Sequence, residues 1–279
     1  WCELSGFGRT GPYAERGGFD LIAQGMSGLM SITGAGEGGP PMKVGAPLTD
    51  ITAGILGAMG VLAALIARAR TGRGQRVDTS LFEAGIVHTY WQSAIAFATG
   101  IAPGALGTAH PLNAPYQAFR TNDGWITLGA ANQANWLRLV EALGAPELAG
   151  DPRFIDNVHR MANCKVLEAA LAPYFARRSS ADWLARLEAA GVPSGPVLDI
   201  NQMHRDAQTL AREMVVEVTH PKAGAVKTLG LPVKFSGTPG GVARPAPTLG
   251  QHSREVLAEY GFSDAEIERL IADGAVAAG

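Results

Sequence analysis

The sequence predicts an α/β protein, and three observations lead there. Short apolar runs of strand length alternate with longer stretches whose apolar residues recur at helical spacing. Thirty-six glycines and 17 prolines punctuate those segments as tight loops. Of the 279 residues, 47% are hydrophobic and 17% charged, which is ample for a packed core in one large domain or two smaller ones.

Taken in order, residues 1–19 read as a strand end followed by a turn-rich loop. The chain opens at Trp1-Cys2-Glu3-Leu4 and runs at once into Gly6-Phe7-Gly8, which reads as a start in mid-fold. Residues 20–30 are expected to be helical, with Leu21, Ile22, Met26, Leu29 and Met30 apolar. Gly34-Ala35-Gly36-Glu37-Gly38-Gly39-Pro40-Pro41 has the glycine density of a phosphate-binding loop. Such a loop needs a helix directly after it, and the two prolines forbid one, so a plain loop is expected.

Thr49-Asp50 immediately precedes Ile51, Ile55, Leu56, Met59, Leu62, Leu65 and Ile66, an apolar helical pattern expected to form a buried helix. Gly54, Gly57, Ala58 and Gly60 stud it. Each interior glycine costs about 1 kcal/mol against alanine, so these small residues predict close backbone approach to another element or a ligand. Arg68, Arg70 and then Gly72 close the helix. A short strand is expected at 75–78. Ser80-Leu81-Phe82-Glu83 is a capping box opening a helix to about residue 97. Residues 103–115 hold the prolines and glycines of a domain crossing. Beyond it the pattern predicts strands at 125–128, 215–218 and 227–235, and helices at 133–143, 164–177, 180–190 and 201–212. A second capping box, Ser263 to Glu266, starts a terminal helix.

A formal net charge of −2 without a basic stripe gives no reason to expect nucleic acid or a membrane surface as partner. The apolar run 51–67 is short for a bilayer span. Cys2 and Cys164, far apart, form no disulfide framework, so a reducing, cytoplasmic setting is expected. The six histidines, at 88, 110, 159, 204, 220 and 252, have no metal-ligand spacing, and no metal is expected. His110, ahead of Pro111, is the one placed to matter, although a loop histidine is commonly just exposed.

Asp50 has two readings. As an N-cap it would bond free backbone N–H groups and stabilise its helix by about 1 kcal/mol. The same positive helix end also favours a charged carboxylate, which can attack a thioester carbonyl, with nearby donors stabilising the oxyanion. Asp20, in Gly17-Gly18-Phe19-Asp20, is either another helix cap or an acid touching substrate. Arg68, Arg70, Arg73 and Arg76 read as a solvated helix end.

Several segments carry a resemblance. Ser5-Gly6-Phe7-Gly8-Arg9-Thr10-Gly11-Pro12-Tyr13 with Gly18-Phe19-Asp20, and Gly45-Ala46-Pro47-Leu48-Thr49-Asp50-Ile51-Thr52-Ala53-Gly54, are two of them. Thr71-Gly72-Arg73-Gly74-Gln75-Arg76-Val77-Asp78, His110-Pro111, Ala114-Pro115-Tyr116-Gln117-Ala118-Phe119, Gly191 to Val197 and Pro232 to Gly237 are the others. In this order they resemble class III (CaiB/BaiF-type) CoA-transferases, the superfamily of formyl-CoA transferase and 2-methylacyl-CoA racemase. The resemblance implies a large α/β domain from 1–105 and 205–279, with a linker and smaller α/β domain at 106–204, in an interlocked homodimer. It implies Asp50 as the catalytic aspartate and Gly17, Phe19 and Asp20 near CoA or substrate. Acyl-CoA and a small carboxylate are then the substrates, with no cofactor beyond the CoA thioester. Relative to the family pattern, an N-terminal α/β segment carrying much of the CoA site is missing, and so is a glycine run that closes over the site in some members.

Two alternatives remain open at this level. Racemases of the family have a histidine where this chain has Phe19, so two-base proton exchange lacks one partner here and transfer is favoured. A non-catalytic module that binds CoA weakly is the other.

Overall fold

A computed structural model describes residues 1–36 and 38–279; Glu37 of the glycine-rich loop lies outside the described residues. The chain divides into two compact units, Trp1–Val197 and Leu198–Gly279.

The first unit begins with β1 (Cys2–Ser5), which pairs in parallel with β2 (Val77–Ser80). Parallel neighbours need a crossover, and α1 (Asp20–Met26) and α2 (Leu48–Thr71) make it. The helix expected over 20–30 stops at Met26, because Gly28 takes φ +84°, and resumes as a single tight turn, Leu29–Ser31. α3 (Leu81–Val87) starts at Ser80, whose hydroxyl accepts from Glu83 N–H at 3.1 Å and donates to the Glu83 carboxylate at 2.7 Å. The single helix expected to about residue 97 is broken at His88–Thr89, and α4 (Tyr90–Thr99) follows. Gly72, at φ +73°, ends α2 where the sequence places its stop.

The glycines of α2 explain how it lies on the strands. A Cβ at Gly57 would come within 3.2 Å of the Leu4 side chain, and one at Gly60 within 2.5 Å of Val77 Cγ1. Close approach is thus real at these two positions, whereas Gly54 faces open space.

The expectation that α2 is buried is corrected. Only Thr49, Ala53 and Gly57, one residue per turn, are buried along it. Ile51, Ile55, Met59, Leu62 and Ile66 are more than half exposed. Burial follows what packs on a helix as well as its own composition, and only the narrow small-residue face meets β1, β2 and α3. The run 51–67, short for a bilayer span by itself, lies in a 24-residue helix that is by length and composition alone long and apolar enough to cross a membrane. The same helix also carries Asp50 in its first turn and rests on a parallel strand pair.

The rest of this unit has the main apolar core. β3 (Tyr116–Arg120), β4 (Trp125–Gly129) and β5 (Ser194–Pro196) form an antiparallel sheet in that order. α5 (Gln133–Leu143), the helix expected at 133–143, buries Trp136, Leu139, Val140 and Leu143, an i, i+3, i+4, i+7 face. α6 (Asn157–Ala162), α7 (Cys164–Phe175) and α8 (Ser180–Ala189) complete the layer, with Phe119 stacked on Phe175 and Trp183 meeting Phe175 edge to face. Arg160 is fully buried: it donates to Ala114 O at 2.7 Å, Gln133 Oε1 at 2.9 Å and Phe154 O at 3.0 Å.

The second unit holds a hairpin, β6 (Val215–His220) with β7 (Gly224–Leu229), and short helices. The expected helix at 201–212 is two pieces, α9 (Ile200–Met203) and α10 (Ala207–Ala211), each capped by its own aspartate, Asp199 and Asp206. The strand expected at 227–235 ends at Leu229. α11 (Ser253–Glu259) precedes α12 (Asp264–Ala272), where Glu266 accepts from the Ser263 N–H and hydroxyl at 2.8 and 2.7 Å.

Candidate active site

The start of α2 differs from the sequence expectation in a way that matters. The N-cap is Pro47, and the helix begins at Leu48, so Asp50 is the third helical residue and not the cap. Pro47 brings neither a side-chain cap nor an N–H. The Asp50 side chain is exposed and, among the described residues, has no hydrogen-bond partner. It therefore sits at the positive end of a 24-residue helix dipole without being used to cap it.

The capping is done from another element. Asp20 is the first residue of α1, yet its Oδ1 accepts from the Thr49 N–H at 3.0 Å and the Thr49 hydroxyl at 2.8 Å. Its Oδ2 accepts from Gln24 Nε2 at 2.8 Å, one helical turn on. Gln24 Oε1 in turn accepts from the Val44 N–H at 2.8 Å. Thr49 and Gln24 are both fully buried. Asp20 is thus a cap, as one of its two readings had it, but for the neighbouring helix rather than its own.

The segment before Asp20 is held by contact between glycine backbones. A Cβ at Gly6 would lie 2.9 Å from Gly18 Cα, so the end of β1 and the approach to α1 touch. Gly17 is exposed with open space where a Cβ would be. Phe19 is the N-cap of α1 in extended backbone, and the residue is 77% exposed. Of the residues picked out from sequence, the fold brings Asp20 against the turn that carries Asp50. Among the described residues no hydrogen bond links Gly17 or Phe19 to that turn.

Thr49, Gln24 and Pro47 escaped the sequence reading. The Asp20 to Gln24 spacing of four was a visible signal, and so was a proline three residues ahead of Asp50. The long-range bond from residue 20 to residue 49 left none.

Two histidines lie on neighbouring elements. His88 Nε2 is 2.8 Å from Thr52 Oγ1 and ties the end of α3 to α2. His110 is stacked on Tyr116 at 5.0 Å and meets the edge of Trp91 at 4.7 Å. Its Nδ1 accepts from the Leu112 N–H at 3.0 Å, which puts the proton of the neutral ring on Nε2. Burial pushes its pKa below the ordinary imidazole value. Among the described residues, no group of three or more His, Cys, Asp or Glu side chains could hold a metal ion.

This arrangement, a solvent-facing carboxylate in the first turn of a helix laid on a parallel strand pair, belongs to a mixed α/β protein that the comparisons place in a family. The family model described as CoA-transferase family III matches residues 1–253. The chain is 40% identical over 283 residues to an acyl-CoA transferase of Fusarium pseudograminearum, covering 99% of this chain and 61% of that protein. It is 35% identical over 286 residues to the succinyl-CoA:glutarate CoA-transferase of Mus musculus, covering 99% and 63%. Its structure is similar to that of a CaiB/BaiF family protein from Brucella suis, with TM-score 0.80, 36% identity, and 92% and 67% of the two chains covered. The chain belongs to CoA-transferase family III. It spans 61% and 63% of the length of those two curated relatives.

Proposed function

We propose that the complete protein moves CoA from an acyl-CoA donor to a carboxylate acceptor, with Asp50 as the covalent carrier. The observation that carries this is the Asp50 carboxylate, exposed at the start of α2 and unbonded among the described residues.

An Asp50 oxygen attacks the donor carbonyl carbon, the C–S bond breaks, and a mixed anhydride and CoA thiolate form. The thiolate then attacks the Asp50 carbonyl carbon and expels the donor acid, leaving an aspartyl-CoA thioester. An acceptor carboxylate attacks that thioester carbonyl, the C–S bond breaks, and a second anhydride and free CoA thiolate form. Attack of the thiolate on the acceptor carbonyl gives the new acyl-CoA and restores Asp50. Each addition places negative charge on a carbonyl oxygen. The Asp50 N–H has no acceptor among the described residues and is the first-turn donor suited to meet it.

The name of the mouse relative supports a dicarboxylyl-CoA such as succinyl-CoA as donor and a small dicarboxylate as acceptor. No acid–base group stands at position 19, which speaks against two-base isomerisation. The family likeness is the ground for reading the protein as a homodimer divided as 1–105, 106–204 and 205–279, in which the apolar face of α2 is covered, and the two widely separated cysteines are the ground for reading its setting as cytoplasmic.

Incubating the complete protein with succinyl-CoA and then hydroxylamine tests the carrier. A hydroxamate on the Asp50 peptide is expected; its absence in a preparation that turns over would overturn the proposal.

A further inference from the structure

We infer that Asp20 is a positioning residue, and that together with Pro47 it keeps the hydrogen-bond donors of the α2 terminus away from the Asp50 carboxylate. The inference rests on the carrier role proposed for Asp50. An acid at the third position of a helix ordinarily reaches back to the N–H of the N-cap residue. Here the N-cap is Pro47, which has no N–H to offer. The next first-turn donor, the Thr49 N–H, is taken at 3.0 Å by Asp20, which also accepts the Thr49 hydroxyl. The Leu48 N–H is turned to Ala46 O at 2.8 Å.

Among the described residues, the N-cap donor is thereby absent and the Leu48 and Thr49 donors are occupied, which leaves the Asp50 N–H itself as the free first-turn donor. A carboxylate relieved of such bonds keeps its lone pairs for attack on a carbonyl carbon, since each bond to the charged form stabilises it and lowers its reactivity. The relay does not hang on one contact. Gln24, fully buried, fixes the other Asp20 oxygen and ties it to the Val44 backbone, so the Asp20 carboxylate is held at both oxygens. Asp20 itself then has little capacity left for substrate, which distinguishes holding the turn from touching the reacting atoms.

The test compares Asp20→Ala, Asp20→Asn and Pro47→Ala with Asp50→Ala in the complete protein, measuring kcat, KM, hydroxylamine trapping rate and thermal melting. Asp20→Ala is expected to lower kcat and trapping together by on the order of 10 to 100-fold, with KM for the acyl-CoA nearly unchanged. Asp20→Asn keeps an oxygen for Thr49 but presents an amide to the Gln24 amide, and is expected to recover part of the loss. Pro47→Ala supplies an N–H within the reach of Asp50 and is expected to slow trapping severalfold in a folded protein. Wild-type kcat in folded Asp20→Ala or in Pro47→Ala would overturn the inference. So would a loss that follows the unfolded fraction without recovery in Asp20→Asn. If Asp20→Ala fails to fold, the other two variants decide. Turnover by Asp50→Ala would instead remove the proposed carrier, whereas a dead Asp50→Ala beside fully active Asp20 and Pro47 variants removes only the positioning role.

Discussion

Replacing Thr49 by valine isolates one bond of the relay between α1 and α2. Thr49 is fully buried and its hydroxyl donates to Asp20 Oδ1 at 2.8 Å. A hydrogen bond to a charged group contributes about 1.5–3 kcal/mol. Asp20 is half-buried and keeps some hydration, which favours the lower part of that range. Valine matches threonine in shape and buries one more carbon, returning up to about 0.8 kcal/mol. The Thr49 N–H still reaches Asp20, so the carboxylate is not orphaned. The net expectation is a destabilisation of about 1–2 kcal/mol. Urea unfolding measures it, with an unchanged m-value showing that the native and denatured states are otherwise alike. Thr49→Ser, which keeps the hydroxyl, serves as control. A Thr49→Val protein as stable as the wild type would refute the reasoning that this bond anchors the first turn of α2.

Other outcomes follow from the same structure. Asp50→Ala removes no hydrogen bond and only the charge–dipole term, so stability is expected to fall by no more than about 1 kcal/mol while CoA transfer is lost; a melt and a transfer assay separate these. Arg160→Ala leaves the buried carbonyl oxygens of Ala114 and Phe154 without their donor and is expected to destabilise by about 3–5 kcal/mol in a denaturant titration. Burial holds His110 below its ordinary value of 6.5, so the unfolded chain binds that proton more readily. Its contribution is fully present above about pH 6.5 and is lost as pH falls towards its folded pKa, and His110→Gln is expected to flatten melting temperature against pH in that window. Light scattering of the complete protein is expected to give a dimer mass, and a monomer would contradict the proposed covering of the α2 face.

The sequence was most legible where local chemistry sufficed. The α5 span at 133–143, the Ser80 and Ser263 starts and the Gly72 stop all appear as expected. Each depends on residues within two turns of one another. The breaks at Gly28 and at His88–Thr89 were harder, because a glycine or a polar pair inside an apolar pattern is tolerated by many helices. β5 is three residues long, set by pairing with β4, and carried no periodicity to read. The exposure of α2 depends on what packs against it, which its composition does not encode. At the site, the motif located Asp50 and Asp20 but not their relation. The apolar pattern starts at Ile51 and so suggests Asp50 as the cap, whereas the helix already opens at Leu48 and Asp50 is its third residue. The true cap comes from 29 residues upstream, at Asp20.

The central claim is that Asp50 exchanges an oxygen with the acids it serves. Turning over the complete protein with an acceptor labelled with ¹⁸O in its carboxylate tests this directly. When the second anhydride is opened at the acceptor carbonyl, the bridging oxygen stays with Asp50. The peptide containing Asp50 is therefore expected to gain the heavy isotope over repeated cycles, and to gain it nowhere else. Sustained transfer of CoA with an unlabelled Asp50 peptide would contradict it.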